Sequence, residues 1–229
     1  MLFANFFVII LDIEVIQVCI TFFIRGGKKF MDPKELCKYE YAKKMLETEL
    51  QILISEYERK HGYMPFEHVK SRIKSDESIR KKLESRGYEY TTDNIIKHIS
   101  DVVGIRIVVS FLSDVYDIVS MITKSTNILI KKRKDYIKEP KDSGYSSYHL
   151  IVLVPVYLEG YVEYVTAEIQ VRTVAMDFWA SLDHKIRYKF HEEIPLDVQQ
   201  AMEEYALDIQ ELDRKMYELN KVMSKYERE

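Results

Sequence analysis

Cysteine, glycine and proline are scarce in this chain of 229 residues, which has 2, 7 and 5 of them respectively. Two cysteines, Cys19 and Cys37, cannot build a disulfide framework or a zinc site made of thiolates, so a disulfide-rich secreted domain is excluded and a reducing compartment is expected. The six histidines lack HExxH or comparable spacing, which argues against a structural zinc. With 47% hydrophobic residues, the composition excludes disordered and collagen-like chains. We therefore expect a packed, cytoplasmic globular protein.

A long hydrophobic run spans residues 2–24, but Asp12, Glu14 and Gln17 lie near its middle. A central Asp alone costs about 3 kcal/mol of membrane insertion free energy, so a spanning helix is disfavoured. Residues 25–30 can be encoded by a purine-rich stretch that resembles a ribosome-binding sequence just before Met31. For the apolar leader at residues 1–30 we favour a misassigned start; a membrane anchor and a packing segment stay open. A membrane partner is expected only if the leader is genuine.

The formal net charge of −3 conceals a separation of charge along the chain. Residues 70–88 contain seven Lys or Arg against three acids, and residues 131–141 contain six against two. Residues 192–229 contain eleven acids and five basic side chains. Two basic stretches in an otherwise neutral domain indicate a site for a polyanion, whereas the acidic tail indicates a solvated helix.

Hydrophobic periodicity predicts alternating helices and strands from residue 33 onward. Residues 33–60 repeat at helical spacing, and β-branched residues dominate a predicted central strand at 102–111. Two further runs, 148–156 and 162–173, are joined by a short turn and predict a hairpin. We expect an α/β (α+β) fold with a mixed sheet of about five strands surrounded by helices, in a domain of residues 31–192.

Residues 193–229 are predicted to form a separate amphipathic helix. Apolar residues recur there at spacings of three and four over more than three heptads, from Met202 to Tyr226. Such a stripe needs a partner, and two stay open: the first long helix of the same chain, or another subunit. We predict a C-terminal helical segment for oligomerisation.

Two acidic side chains stand beside apolar strands. Asp101 adjoins the strand at 102–111, and Glu168 lies in the run 162–173 on the same face as Gln170 and Arg172. Mg²⁺ takes one or two protein carboxylates and completes its shell with waters and phosphate oxygens, while phosphates need Lys or Arg for charge neutralisation. The combination indicates metal-assisted nucleotide transfer. Each feature alone has a simpler interpretation, because an Asp before a strand more often caps a turn and basic stripes are usually solvated.

Five stretches in chain order resemble the synthetase domain of the RelA/SpoT alarmone synthetases, most closely its small stand-alone form. The resemblance covers about residues 36–225. The five stretches are Ser71-Arg-Ile-Lys-Ser75 with Ser78 and Lys82, Asp101-Val-Val-Gly-Ile-Arg106, Lys134-Asp-Tyr136, Gly144-Tyr-Ser-Ser-Tyr-His149, and Glu168-Ile-Gln-Val-Arg-Thr173 with the helix after it. The resemblance implies a nucleotidyltransferase-like fold. It also implies transfer of the β,γ-pyrophosphate of ATP to the 3′-hydroxyl of GTP or GDP, making (p)ppGpp and AMP in the bacterial stringent response.

The resemblance further implies roles for the donor side of the site. Asp101 and Glu168 would hold Mg²⁺, and Glu168 would also take the proton of the attacking 3′-hydroxyl. Planar guanidinium groups suit stacking on adenine better than ammonium groups do. ATP would bind through Arg72 and Arg106 around the adenine and through Lys74, Ser78 and Lys82 at the phosphates. Simple alternation puts Asp101 and Arg106 on opposite faces of one strand, so we expect Asp101 to precede the strand rather than Gly104 to form a bulge.

The acceptor side follows in the same way. Tyr145 would stack on guanine, with Lys141, His149 and Gln170 near the GTP or GDP. Asp177 stands where one subgroup has Asn, and its carboxylate can accept from guanine N1 and N2. Simpler alternatives stay open for three of these residues. Tyr145 can be a loop anchor, His149 can be a core histidine bonded to backbone, and Gln170, like Arg172, can be a structural neighbour of Glu168.

The resemblance also bears on partners. The long relatives carry a hydrolase domain with a His-Asp pair, for which this chain has neither the length nor the dipeptide, so we expect synthesis only. Small members resemble homotetramers, some regulated by an alarmone or by RNA. Two rival functions stay open: a toxin-type relative that pyrophosphorylates adenine nucleotides or the 3′ end of tRNA, and a non-catalytic RNA-binding module that uses the two basic stretches. The presence of both Asp101 and Glu168 argues against the second.

Overall fold

The computed structural model describes residues 31, 33–158, 160–190 and 193–226. The predictions for the apolar leader at residues 1–30, and the one that involves Cys19, lie outside the described residues. Within those described ranges, no helix is both long enough and apolar enough to cross a membrane. The predicted alternation of helices and strands can therefore be compared with the structure from Met31 onward.

Five strands make up one sheet. In chain order they are β1 (Phe66–Ile73), β2 (Val103–Val109), β3 (Leu129–Asp135), β4 (Tyr148–Leu158) and β5 (Tyr161–Thr173). Their order across the sheet is β1-β2-β5-β4-β3, so β2 lies between β1 and β5. The turn between β4 and β5 contains Gly160, whose φ of 83° is in the left-handed region that glycine adopts without steric cost. The prediction of a mixed sheet of about five strands is confirmed.

Six helices are formed by the described residues. They are α1 (Pro33–His61), α2 (Asp76–Glu84), α3 (Thr92–His98), α4 (Leu112–Lys124), α5 (Val174–Lys189) and α6 (Leu196–Tyr226). Three of them have an N-cap residue with a hydroxyl side chain. The hydroxyl oxygens of Ser75, Thr91 and Thr173 accept a hydrogen bond from a backbone N–H at the starts of α2, α3 and α5. Each such cap satisfies a backbone donor that the helix leaves unpaired. One of these caps, Ser75, directly follows the predicted site residue Lys74.

The chain divides into two compact units. The first consists of the described residues up to Glu49, together with Ser71–Gly104 and Leu153–Glu168. The second consists of Leu50–Lys70, Ile105–Val152 and the described residues from Ile169 onward. Each unit buries large apolar side chains of its own, among them Leu46 and Ile79 in the first and Ile107 and Leu150 in the second.

The two faces of β5 differ as the alternation predicts. One face is apolar and buried, with no side chain more than 6% exposed: Val165, Ala167, Ile169 and Val171. On the other face Gln170 is half-buried, whereas Glu168 and Arg172 are buried although both are ionisable. Buried ionisable groups require partners, so this face of β5 is a candidate site rather than a solvated surface.

The two halves of α6 differ in exposure. Near its start, Met202 and Ala206 form a buried cluster with Trp179 of α5. Further along, the exposed fractions rise to 51% for Leu212 and 51% for Leu219. The helices that α6 mainly packs against are α5 and α4. The described residues therefore leave the later part of the apolar stripe uncovered.

Candidate active site

Asp101 lies between two lysines. Because β2 begins at Val103, Asp101 precedes the strand, as predicted. Each of its carboxylate oxygens accepts a hydrogen bond of 2.8 Å, Oδ2 from Lys74 Nζ and Oδ1 from Lys82 Nζ. Lys74 directly follows β1 and Lys82 is on α2, so three segments of the first unit converge here. We call Asp101, Lys74 and Lys82 the Asp101 cluster.

The Asp101 cluster holds its carboxylate in the ionised form. Burial by itself raises the pKa of Asp101, but the hydrogen bonds and charges of Lys74 and Lys82 outweigh it and lower the pKa to about 2. The Asp101 side chain is 15% exposed, so its charge is only partly reached by water. Each ammonium group has three donors and keeps some of them for a phosphate, while an ionised carboxylate is a hard oxygen ligand. This arrangement can bind both phosphates and a divalent cation.

The two other residues of the first unit that we predict to bind ATP are exposed. Arg72 lies on β1, and its Cγ is 3.8 Å from where a Cβ at Gly104 would stand, so its stem runs over the glycine of β2. Ser78 lies in the first turn of α2, with its hydroxyl oxygen 2.8 Å from Ser75 Oγ. The backbone N–H of Lys74 donates to the Val102 carbonyl over 2.8 Å, which ties the end of β1 to the start of β2.

Glu168 is the second predicted metal ligand. It is 8% exposed and lies on β5, the neighbour of β2 in the sheet. In the part of the chain that the structure describes, no three or more His, Cys, Asp or Glu side chains come together as a metal cluster. Mg²⁺ does not require one, because it binds through one or two carboxylates and takes waters and phosphate oxygens as its other ligands. The two carboxylates therefore fit Mg²⁺ by the chemistry of their donor atoms.

The residues predicted to bind the acceptor nucleotide gather around Arg172 in the second unit. Arg172 Nη2 donates to the Tyr145 hydroxyl over 3.0 Å and also to Gln170 Oε1. Because a guanidinium can only donate, the Tyr145 oxygen accepts, and its own hydrogen can be donated to His149 Nε2, 2.8 Å away. Together with Asp177, these four residues are called the Tyr145 cluster.

Asp177 contacts Arg172 from α5. Its Oδ1 accepts from Arg172 Nη1 over 3.2 Å and from Arg106 Nη1 over 3.0 Å. Burial lowers the pKa of Arg172, whereas the charge and the hydrogen bond of Asp177 act in the opposite direction, and a guanidinium stays protonated in proteins. The Arg172 side chain is only 5% exposed, so this is a buried cation with several fixed partners. Breaking such a pair is costly because it leaves the other charge buried and uncompensated.

Lys141, which we predict to lie near the acceptor nucleotide, lies beside Tyr145. The backbone N–H of Lys141 donates to the Tyr145 carbonyl over 3.1 Å, and that of Gly144 donates to the Lys141 carbonyl over 2.8 Å, which closes a tight loop. Lys141 Nζ is 5.0 Å from the ring centroids of both Tyr145 and Tyr136, within the range of cation–π attraction. The loop thus carries one cation and one aromatic ring of the predicted acceptor site.

A family comparison identifies the chain. Residues 71–193 match the family described as a region found in RelA/SpoT proteins. The chain belongs to the RelA/SpoT family. The matched segment contains both the Asp101 cluster and the Tyr145 cluster, so the resemblance inferred from the five motifs is confirmed.

Two relatives in Bacillus subtilis (strain 168) are similar over most of their length. The GTP pyrophosphokinase YwaC is 47% identical over 187 residues, which are 82% of this chain and 89% of YwaC. The GTP pyrophosphokinase YjbM is 32% identical over 193 residues, which are 82% of this chain and 90% of YjbM. The similarity therefore extends well beyond the motifs of the RelA/SpoT family.

Solved structures of the RelA/SpoT family share the fold. The small alarmone synthetase 2 from Bacillus subtilis matches with a TM-score of 0.73 and 45% identity, covering 82% of this chain and 97% of that one. The small alarmone synthetase 1 from the same organism, in a crystal structure bound to its product pppGpp, matches with a TM-score of 0.75 and 32% identity, covering 82% and 95%. The predicted α+β fold is confirmed by these matches.

Two contacts within the RelA/SpoT motifs were not predicted from the sequence. Arg172 was interpreted only as a possible neighbour of Glu168, yet it bonds Tyr145, Gln170 and Asp177. A signal was available, because Arg172 is on the polar face of β5, and a cation buried at the end of a strand requires acceptors nearby. The contact of Tyr136 with Lys141 had no signal in the spacing, since it depends on how the loop closes.

Proposed function

We propose that this chain is a Mg²⁺-dependent GTP/GDP pyrophosphokinase. It would transfer the β,γ-pyrophosphate of ATP to the 3′-hydroxyl of GTP or GDP, forming pppGpp or ppGpp and releasing AMP. The observation that carries this proposal is that most of the predicted residues form two clusters: two lysines hold ionised Asp101, and an aromatic, hydrogen-bonding network surrounds Arg172. Arg106, which we predict to bind ATP, is bonded to Asp177 of the second cluster. The first chemistry suits a triphosphate, and the second suits a base.

The donor side follows from the Asp101 cluster. Lys74 and Lys82 would neutralise the ATP phosphates, with Ser78 supplying a hydroxyl at the exposed first turn of α2. Arg72 and Arg106 would contact the adenine. Arg106 is suited to this although it pairs with Asp177, because that hydrogen bond uses an edge of the guanidinium and leaves its planar faces for stacking.

In the transfer step, Glu168 would act as the general base. The 3′-oxygen of the acceptor forms a bond to the β-phosphorus of ATP, the bond from that phosphorus to the bridging α–β oxygen breaks, and AMP leaves. Glu168 takes the proton of the 3′-hydroxyl. Such transfers depend mainly on in-line positioning and on cations matched to the spreading negative charge. Asp101 and Glu168 would hold Mg²⁺, which supplies neutralisation of phosphate charge when bound.

The acceptor side follows from the Tyr145 cluster. The Tyr145 ring would stack on guanine, and Lys141, His149 and Gln170 would border the nucleotide. Asp177 can accept from guanine N1–H and N2–H, whereas adenine offers an acceptor at N1 and no amine at C2. A purine that cannot satisfy the carboxylate leaves a polar group unpaired, which is the usual source of strong discrimination. This argument favours guanine nucleotides over the adenine nucleotides of the toxin-type alternative.

The test is a transfer assay with Mg²⁺ and ATP labelled in either its α- or its γ-phosphate. GTP, GDP, ATP and tRNA are offered separately as acceptors, and the products are separated by chromatography. We expect the γ-label to move to GTP and GDP and the α-label to remain in AMP. Transfer to ATP or tRNA would support the toxin-type alternative. Absence of transfer to every acceptor would overturn the proposal and favour the RNA-binding module.

We also propose that the protein works in the cytoplasm as a homotetramer assembled through α6. The exposed part of its apolar stripe supports this, because Leu212, Met216 and Leu219 are between 41% and 51% exposed. The combined substitution of these three residues by Gln should reduce the assembly, as measured by light scattering, while leaving the buried start of α6 intact. An unchanged mass would show that the stripe does not join subunits.

A further inference from the structure

The C-terminal helix α6 reaches the Tyr145 cluster through a buried hydrogen bond. Thr173 Oγ1 donates to Asp213 Oδ2 over 2.8 Å, although the two residues are 40 positions apart. Thr173 is fully buried and Asp213 is only 6% exposed. Burying a carboxylate is unfavourable unless it is bonded, so Asp213 is held in place by this contact rather than by water.

Thr173 is the junction between the two halves of the Tyr145 cluster. It directly follows Arg172 at the end of β5, and it caps α5, on which Asp177 lies in the first turn. The same hydroxyl that donates to Asp213 accepts the backbone N–H of Met176 over 3.2 Å. Since a hydroxyl has one hydrogen, donation to Asp213 directs a lone pair toward that N–H. Asp213 thereby orients Thr173, the N-cap residue that connects Arg172 at the end of β5 to Asp177 in the first turn of α5.

A second contact joins the same face of α6 to the loop that carries Tyr145. Gly144 has a φ of 73°, and a Cβ placed on it would lie 2.2 Å from the Cβ of Ala206. The backbone of the loop therefore rests directly on the helix. Gln210 Nε2 lies 3.4 Å from the Gly144 carbonyl oxygen, to which it donates. Ala206, Gln210 and Asp213 are spaced by four and three residues, which is one face of a helix.

We propose that α6 is part of the acceptor site, with Asp213 as a positioning residue. Asp213 fixes Thr173, and through it Arg172 and Asp177, while Ala206 and Gln210 support Gly144 next to Tyr145. The inference rests on the proposed function, because it assigns these contacts to the binding of GTP or GDP. It predicts that disturbing the inner face of α6 weakens binding of the acceptor far more than binding of ATP, because among the predicted ATP ligands this network bonds Arg106, through Asp177.

The test compares Asp213→Ala with Asp208→Ala, the same change at an exposed position of the same helix. Removing Asp213 leaves the buried Thr173 hydroxyl without its acceptor, so we expect the KM for GTP or GDP to rise about tenfold. The KM for ATP should stay within about twofold, and Asp208→Ala should resemble the wild type. Asp213→Asn, which keeps an acceptor oxygen for Thr173, should recover most of the acceptor affinity.

Trp179 offers a binding measurement that needs no turnover. It is the only tryptophan of the chain, and its Nε1 donates to the Ser143 carbonyl over 3.1 Å, next to Gly144. GDP titrated against Trp179 fluorescence should give a Kd about tenfold weaker in Asp213→Ala, with an unchanged far-ultraviolet circular dichroism spectrum. Equal changes for ATP and acceptor, or no change for either, would overturn the role of Asp213. Wild-type protein that binds GDP without transferring pyrophosphate would overturn the proposed function instead, and the two Kd values would still decide the inference.

Discussion

The Asp101 cluster and the Tyr145 cluster differ in how their central charged side chain is held. In the first, two flexible lysines hold one carboxylate as point charges, and one of them, Lys82, is 30% exposed. In the second, a planar guanidinium that is 5% exposed bonds three side chains in fixed directions. Lysine stems tolerate displacement, whereas a guanidinium requires partners in its own plane. The function of the Asp101 cluster should therefore depend mainly on the amount of charge, and that of the Tyr145 cluster mainly on geometry.

The largest effect should come from a residue that belongs to neither cluster. If both clusters only bind nucleotides, the chemical step needs a separate base, and Glu168 is our candidate. Glu168→Gln preserves the shape and removes the base, so the transfer rate should fall by about a thousandfold. Binding of ATP, measured by calorimetry, should change little. Glu163→Gln, on the same strand but paired with Lys38, is the matched control; appreciable turnover by Glu168→Gln would remove the assignment.

The next effect should come from removing charge in the Asp101 cluster. Lys82→Met leaves Asp101 with one partner instead of two and removes a cation from the phosphates, so we expect the KM for ATP to rise about 30-fold. Lys82→Arg keeps the charge and should cost only a few-fold. Steady-state kinetics with ATP varied would measure both, with Lys81→Met as control because Lys81 is exposed and pairs with Glu77. Equal losses for the Met and Arg variants would contradict a role based on charge alone.

A smaller effect should follow from a substitution that changes the geometry of the Tyr145 cluster but keeps its charge. Arg172→Lys keeps the cation but cannot bond Tyr145, Gln170 and Asp177 together, so we expect the KM for GTP or GDP to rise about tenfold. Arg187→Lys on α5, where the Arg187 side chain is 43% exposed and pairs with Asp183, should behave like wild type. Tolerance of Arg172→Lys combined with intolerance of Lys82→Arg would reverse our comparison of the two clusters.

The smallest effect concerns the pH dependence of stability. Burial raises the pKa of Asp213, with the Thr173 hydrogen bond acting in the opposite direction, so the folded state binds the proton of Asp213 more tightly than the unfolded chain does. This contribution of Asp213 to the stability of the folded state is therefore lost as the pH rises above the ordinary pKa of aspartate, about 3.9. Asp213→Asn removes this contribution, so above the ordinary pKa of aspartate its free energy of unfolding should fall less with rising pH than that of the wild type. Urea unfolding at several pH values measures it, with Asp208→Asn as control; parallel curves would contradict it.

Much of the fold was predictable because its signals are local. The alternation in β5 predicted which side chains face each way, and the position of Asp101 before β2 followed from the same periodicity. Lys74, Lys82 and Asp101 lie within 27 positions of one another in the chain, and their convergence followed from a strand, a short helix and the next strand. The roles of these residues in catalysis remain predictions.

The sequence by itself determined the elements, the two faces of β5 and the family, since each depends on short-range spacing or on motifs in a fixed order. Only the tertiary structure decided that Arg172 is the centre of the Tyr145 cluster and that Asp213 bonds Thr173 although the two residues are 40 positions apart. Hydrophobic periodicity indicates which face of a helix or strand is buried, but which side chains contact that face depends on how elements distant in sequence pack together. In the described residues, that packing made α6 a support for the Tyr145 loop.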